Sequence, residues 1–214
     1  MKKTKINIGI VGLGRIGKMH AKNICQALPL FNLKTIADPA PDIDFTRNLE
    51  GVIISDNIEN ILKDKTIGAV IVCSPTPTHY EIIKRCVMQK KHVFCEKPIS
   101  FAENEVRELI TIKDRENIFI QVGLNRRFDQ DFLMAKKKMD SGALGDIHAI
   151  HITNHDASIP PFKFLKSSGG MLFDLCIHDF DMLNFLTGQK VKEIYVNGGV
   201  FIDKRLGDIG DVDN

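Results

Sequence analysis

A glycine-rich turn near the amino terminus constrains the fold of this chain more than any other feature. The pattern Gly12-x-Gly14-x-x-Gly17 follows an apolar segment, Ile6–Val11, and precedes apolar residues at helical spacing. In this strand–turn–helix context the first glycine permits a tight turn, the second lets a pyrophosphate approach, and the third allows close helix packing. Backbone N–H groups at the helix start would face the phosphates. The alternative is an ordinary loop rich in glycine. The residues expected to contact a dinucleotide here are Gly12, Gly14, Arg15, Ile16 and Gly17.

Further apolar segments predict more strands of the same sheet. They cover residues 33–37, 52–55, 67–73, 92–95 and 118–122. Thr78 with Glu81, and Ser100 with Glu103, fit the capping box that begins a helix. The connection over residues 39–51 contains two prolines and leaves little room for a helix. Repeated strand–helix–strand units over residues 1–122 predict an α/β fold, a Rossmann-type doubly wound parallel sheet.

The pattern changes in residues 123–214. A polar helix is predicted for residues 126–141 and a second helix for residues 170–186, with strands at 147–153 and 191–202. Two strands leave long unpaired edges and cannot form a covered sheet. We therefore expect an incomplete α+β domain with an open sheet, whose missing strands come from another chain or were lost by truncation.

Composition narrows the partners of the chain. The 29 basic and 27 acidic side chains are scattered along the sequence and give a net charge of +2, which does not favour nucleic-acid binding. No segment approaches the roughly 18 apolar residues of a membrane span, and the amino terminus lacks the apolar run of a signal peptide. The sequence predicts a cytoplasmic protein. Its five cysteines lack metal-ligand spacing, so we expect reduced structural thiols and no metal site.

An acidic residue after the second predicted strand bears on the choice of dinucleotide. Asp38 lies 21 residues beyond Gly17, where a carboxylate accepts hydrogen bonds from the adenosine ribose. The same charge would repel the 2′-phosphate of NADP, and the next basic residue is Arg47. Asp38 therefore predicts NAD rather than NADP, with a solvated aspartate at a strand end as the alternative.

Two other groups of residues carry potential chemistry. Glu96 and Lys97 follow a predicted parallel strand, at the edge where α/β sheets bind ligands, although such a pair is often a surface ion pair. On a helix, Asp174, His178 and Asp181 would share one face, and a carboxylate one turn before a histidine suits a proton acceptor. Asp179 would point away from His178, which makes it the less functional carboxylate. A histidine on an ordinary helix surface is the alternative.

Five motifs follow one another along the chain. They are Gly12–Gly17 with Met19-His20, Cys73–His79, Cys95–Pro98, Gly123–Phe128, and Ser168–Gly170 leading to Asp174, His178 and Asp181. Taken together, these motifs resemble the Gfo/Idh/MocA family of NAD(P)-dependent oxidoreductases, and within it the inositol 2-dehydrogenase branch. Family members are longer than this chain. The resemblance implies NAD-dependent oxidation of a secondary alcohol of a cyclic polyol or sugar, such as myo-inositol. A dehydrogenase of another sugar, or an inactive truncated NAD-binding protein, remains an alternative.

The resemblance also implies roles for individual residues. Lys97 would bind the substrate hydroxyl beside the nicotinamide, and His178 would accept the hydroxyl proton. Asp174 would orient His178 or bind a neighbouring hydroxyl. A cis peptide before Pro98 is expected. Further cofactor contacts are expected from Ser74, His79, Glu96, Lys97 and Arg126, and further substrate contacts from Asn154, His155, Asp181 and again Arg126. A homo-oligomer is expected where the second domain is complete.

Overall fold

A computed structural model describes residues 5–214 of the chain. The chain divides into two compact units, which meet at the bond between Gly123 and Leu124. This division lies one residue from the boundary expected from the sequence.

The first unit is built on one sheet of six parallel strands. The strands are β1 (Ile6–Val11), β2 (Phe31–Ala37), β3 (Ile53–Ser55), β4 (Ile67–Val72), β5 (His92–Cys95) and β6 (Ile120–Val122). Their order across the sheet is β3-β2-β1-β4-β5-β6, so the chain starts in the middle and builds outward in two directions. This is the α/β Rossmann topology predicted from the sequence.

Helices connect the strands of this unit. They are α1 (Arg15–Ala27), α2 (Ile43–Thr46), α3 (Glu59–Leu62), α4 (His79–Met88) and α5 (Glu103–Glu116). The short α2 confirms that the connection with two prolines is cramped. The central strands are apolar along their length because helices cover both faces. Ile10, Ile36, Val70 and Val72 are fully buried in two apolar clusters.

The register of the sheet brings four loops to one edge. Val11 pairs with Ala37 on one side and with Val72 on the other, and Val72 pairs with Cys95. The next residue after each of these strand ends therefore begins a loop at the carboxyl edge of the sheet. Those residues are Gly12, Asp38, Cys73 and Glu96.

Both predicted capping boxes are wrong. The Thr78 hydroxyl donates to the backbone oxygen of Pro75 and to the Ser74 hydroxyl instead of capping α4. A helix-like turn with Pro77 at its start precedes α4 and occupies Thr78. Ser100 accepts from the N–H of Ala102 and donates to Glu105, so it forms a local turn three residues before the start of α5.

The second unit is helical where it is regular. It contains α6 (Gln130–Asp140), α7 (Phe162–Ser168) and α8 (Ile177–Thr187), and a wide π-type turn, Leu172–Cys176, leads directly into α8. The strands predicted at 147–153 and 191–202 are wrong, because no strand occurs between Leu124 and Asn214. A strand requires a hydrogen-bonded neighbour. Gly199 and Asn214 exchange backbone hydrogen bonds, and this contact does not extend into a ladder.

No helix within residues 5–214 combines the length and apolar character needed to cross a membrane.

Candidate functional site

Two of the three glycines in the first turn are required by the packing of the protein itself. Gly12 has a φ of +91°, and a Cβ there would lie 2.6 Å from the backbone nitrogen of Ser74. A Cβ on Gly17 would lie 2.0 Å from the backbone oxygen of Gly12. Both values are far inside van der Waals contact. These glycines therefore let α1 and the β4 loop close around the turn.

Gly14 is different because no neighbouring atom would clash with a side chain at this position. It is the residue before α1, with a φ of −67°, and a Cβ there would meet no atom within 4 Å. No side chain caps α1 and its first turn carries no acidic residue, whereas the Asp129 carboxylate caps α6. The first-turn N–H groups of α1 are thus left to solvent or an anion. Open space beside uncapped N–H groups fits the diphosphate of a dinucleotide.

Asp38 lies against the same turn. One carboxylate oxygen accepts from the N–H of Leu13 at 2.5 Å and the other accepts from the N–H of Ala40 at 2.8 Å. A fixed negative charge therefore lies beside the glycine turn. The next basic residue after Asp38 along the chain, Arg47, is exposed and pairs with Asp44. A carboxylate in this position can accept hydrogen bonds from ribose hydroxyls.

Glu96 is held by a histidine that the sequence analysis did not assign. The Nε2 atom of His20, on α1, lies 2.7 Å from Glu96 Oε1, and the His20 ring packs edge-on against Phe94. Gly123 lies so close that a Cβ there would be 3.1 Å from Glu96 Oε2. The position of His20 three residues after Gly17 was visible in the sequence, but nothing there indicated its partner.

His79, a predicted cofactor contact, is enclosed by the protein. The side chain is 1% exposed, and its two ring nitrogens lie 2.8 Å from the Pro98 oxygen and 2.7 Å from the Ser74 oxygen. Neither nitrogen is left for a ligand. Ser74 itself is half-buried at the start of this loop.

Lys97 lies in the loop after β5, half-buried, and the peptide bond that joins it to Pro98 is cis, as expected from the resemblance. The neighbouring thiols are not nucleophiles. Burial raises the pKa of Cys73 and of Cys95, and the charge of Glu96 raises both further. Burial also raises the pKa of Cys86, to about 12. These cysteines are protonated structural residues.

In the second unit, three polar side chains close a ring of hydrogen bonds. Arg126 donates to Asp179 Oδ1 at 2.5 Å and to the Asn154 side-chain oxygen at 3.2 Å. The Asn154 amide in turn donates to both Asp179 oxygens, at 2.5 and 2.6 Å. The sequence indicated Asp179 as the less functional carboxylate, and the structure shows that it accepts hydrogen bonds from Arg126 and Asn154, two of the predicted contact residues.

Asp181 occupies a different environment from the one predicted. Arg127 donates hydrogen bonds from two nitrogens to the Asp181 carboxylate, at 2.6 to 3.0 Å. The Arg127 guanidinium also lies over the ring of Phe185. The Asp181 side chain is only 9% exposed. Such a two-pronged pair is a strong, fixed interaction. Asp181 therefore links α8 to the segment before α6.

Asp174 and His178 lie on one continuous helical segment with an irregular turn. Asp174 is within the π-type turn, His178 is in the first turn of α8, and both are half-buried. The wider turn breaks the regular i, i+4, i+7 stripe predicted from the sequence. The Asp211 carboxylate, 40 positions along the chain, accepts the N–H of Met171 at 2.9 Å and so anchors the start of this segment. His155 is exposed.

Within residues 5–214, no group of three or more His, Cys, Asp or Glu side chains is arranged to hold a metal ion.

Comparison with known proteins places these features in context. Residues 6–124 match the model of an oxidoreductase family with an NAD-binding Rossmann fold, GFO/IDH/MocA, and residues 132–214 match the GFO/IDH/MocA C-terminal domain. The chain is 36% identical over 210 residues to the myo-inositol 2-dehydrogenase of Thermotoga maritima, covering 97% of this chain and 63% of that protein. It is 37% identical over 210 residues to the inositol 2-dehydrogenase of Rhizobium meliloti, covering 98% and 63%.

A solved structure is similar over the same span. It is scyllo-inositol dehydrogenase from Lactobacillus casei, determined with bound NAD(H) and scyllo-inositol, with a TM-score of 0.84 and 30% identity. The match covers 98% of this chain and 64% of that one. The chain thus spans a little under two thirds of the length of the relatives it matches.

Proposed function

Because the chain belongs to the GFO/IDH/MocA oxidoreductase family, we propose that it acts in the NAD-dependent oxidation of a secondary alcohol of a cyclic polyol, with myo-inositol as the first substrate to test. The observation that carries this proposal is the extent of the similarity. The match to proteins named inositol 2-dehydrogenases runs over 97% to 98% of this chain and includes both units.

The glycine turn supports the cofactor part of the proposal. NAD bound here would take its diphosphate at the uncapped start of α1, next to Gly14, and its adenosine ribose at Asp38. The negative charge of Asp38 favours NAD over NADP, since the 2′-phosphate would meet a carboxylate that already accepts two backbone N–H groups.

The residues of the chain then have separate tasks in the oxidation. Lys97 binds the reacting hydroxyl, His178 accepts its proton, and Asp174 fixes the orientation of His178 or binds a neighbouring hydroxyl. The bound nicotinamide supplies the acceptor for the hydride that leaves the carbinol carbon. Removal of the proton and of the hydride together converts the secondary alcohol to a ketone.

The ring of Arg126, Asn154 and Asp179 supports the polyol part. A cyclic polyol carries hydroxyls on every ring carbon, so a protein that binds one needs several donors and acceptors held in fixed directions. Asp179 fixes the amide of Asn154 and the guanidinium of Arg126 in this way. We propose that Arg126 and Asn154 contact substrate hydroxyls, with His155 as a further, exposed contact.

The experiment follows the absorbance of NADH at 340 nm. The purified chain is mixed with NAD+ or NADP+ and with myo-inositol, scyllo-inositol or aldoses. We expect reduction with NAD+ and an inositol, lost in His178→Asn and strongly reduced in Lys97→Met. Faster reduction of NAD+ with an aldose than with an inositol would identify the aldose as the substrate in place of the inositol. Cofactor binding without turnover on any of these alcohols would reject the enzymatic proposal for this chain.

A further inference from the structure

The imidazole of His79 is enclosed between two backbone carbonyl groups. His79 is the first residue of α4 and is 1% exposed. Its Nδ1 atom lies 2.8 Å from the Pro98 oxygen and its Nε2 atom lies 2.7 Å from the Ser74 oxygen. Both distances are those of N–H···O hydrogen bonds.

The two contacts together determine the number of protons on the ring. A carbonyl oxygen only accepts hydrogen bonds, and a neutral imidazole has one N–H donor and one nitrogen lone pair. Either neutral tautomer of His79 would therefore turn a lone pair toward a carbonyl oxygen at hydrogen-bond distance. Only the imidazolium, with a proton on each nitrogen, makes both bonds.

The two carbonyl groups belong to neighbouring loops at the carboxyl edge of the sheet. Ser74 lies two residues after β4, and Pro98 directly follows Lys97 in the loop after β5. The Ser74 backbone also packs against the glycine turn, where a Cβ on Gly12 would lie 2.6 Å from the Ser74 nitrogen. His79 thus connects the loop that supports the glycine turn to the segment that carries Lys97.

We propose that His79 is a positioning residue, held as a buried imidazolium, which fixes the Lys97–Pro98 segment against the loop after β4. The protonation state is inferred only from the distances between the two ring nitrogens and the two carbonyl oxygens, all within the first unit. The effect on turnover rests on the proposed function.

The two hydrogen bonds must offset the free-energy cost of burying a cation at this position. A cation loses hydration when buried and is disfavoured at a helix start. The elements around His79 carry other titratable groups, which include Tyr80, Glu81, Lys84, Arg85 and Cys86 on α4, Cys73 after β4, Glu96 and Lys97 after β5, and Glu103, Glu105, Arg107 and Glu108 on α5. Because bonds to a charged donor are stronger than neutral ones, two such bonds offset these costs.

Nitrogen NMR of histidine-labelled protein tests the protonation state directly. At pH 7 we expect both ring nitrogens of His79 to carry a directly bonded proton. His92 provides the internal contrast, since its Nδ1 accepts the N–H of Phe119 at 3.1 Å and must lack a proton. The His79 signals are assigned by their loss in His79→Gln, or by contacts to Pro98 in the wild type where that variant does not fold. A neutral His79 ring at pH 7 would overturn the proposal.

Kinetics of His79→Gln test the positioning role, with His92→Gln as the matched control. Glutamine donates only from its nitrogen, so it cannot bond both carbonyl groups. Because small misplacements of binding groups are costly, we expect kcat to fall about tenfold or more while the Kd for NAD stays within about twofold. Equal kcat in a folded His79→Gln protein would refute positioning. If the proposed function is wrong, the wild type will show no turnover, but the NMR signals of His79 will still report two ring protons.

Discussion

The carboxylate of Asp38 accepts the backbone N–H of Leu13 at 2.5 Å, so the acidic residue after β2 also holds the glycine turn after β1. One side chain therefore combines a structural task with the discrimination proposed against a 2′-phosphate. Because the second carboxylate oxygen accepts the N–H of Ala40, the position of the charge is fixed from two directions.

Replacement of Asp38 by asparagine separates these tasks. The asparagine side-chain oxygen can still accept the Leu13 N–H, but the negative charge is gone. We expect the Kd for NAD to rise about tenfold, ~1.4 kcal/mol, and the preference for NAD over NADP to shrink by at least as much. Titration calorimetry with both cofactors measures this. Asp42→Asn, which removes a nearby charge paired with Lys18, is the control. An unchanged NAD/NADP ratio in Asp38→Asn would contradict the role of the charge.

Two glycine variants distinguish folding from cofactor binding. Gly17→Ala places a Cβ 2.0 Å from the Gly12 oxygen and should destabilise the protein by more than about 3 kcal/mol. Gly14→Ala meets no atom within 4 Å, so we expect an unchanged thermal midpoint and a lost or strongly weakened affinity for NAD. Gly207→Ala, which also meets no atom, is the control for both measurements. Normal NAD binding by Gly14→Ala would show that the diphosphate does not lie at this turn.

Asp179→Asn tests the ring of polar residues in the second unit. The change keeps the shape of the side chain but leaves the Arg126 guanidinium without its carboxylate partner. Because a partly buried charged hydrogen bond is lost, we expect about 1 to 2 kcal/mol less stability. We also expect a KM for the polyol raised about tenfold, with an unchanged Kd for NAD. Asp140→Asn, which breaks only the exposed pair with Lys136, should change neither constant. A KM equal to that of the wild type would show that Asp179 does not orient residues that bind the polyol.

An ion pair at the opposite edge of the sheet predicts a pH dependence of stability. The hydrogen bond from Lys34, and then that from Thr66, lower the pKa of Asp64 to about 2. Because the unfolded pKa is about 3.9, the contribution of Asp64 is complete above that value and is lost as the pH falls toward 2. Urea unfolding between pH 5 and pH 2 should show a loss of stability that is smaller in Asp64→Asn and in Lys34→Met. If the free energy of unfolding falls equally with pH in all three proteins, the Lys34–Asp64 pair is not the origin of the pH dependence.

The sequence predicts the first unit well because its structure depends on local patterns. Apolar runs such as Ile67–Val72 are buried on both faces, and a glycine turn has few other uses between a strand and a helix. The second unit was predicted less well. The residues at 191–202 have strand-forming composition, but a strand exists only where a neighbour accepts its hydrogen bonds.

The candidate site shows the same limit at the level of side chains. Residue types and order indicated Asp38, Lys97 and His178. Helical geometry alone ranked Asp179 below Asp181, because their partners, Arg126 and Arg127, lie more than 50 positions away in the sequence. His79 is likewise buried, and no sequence pattern reveals that two carbonyl groups enclose its ring.

The central claim is that hydride leaves a polyol carbon and reaches NAD. The most direct measurement incubates the chain with NAD+ and myo-inositol deuterated at every ring carbon, and then determines the deuterium content of the reduced cofactor by NMR. We expect NADH that carries one deuterium on its nicotinamide ring, and we expect no NADH from His178→Asn. Reduced cofactor without deuterium, or no reduction at all, would contradict it.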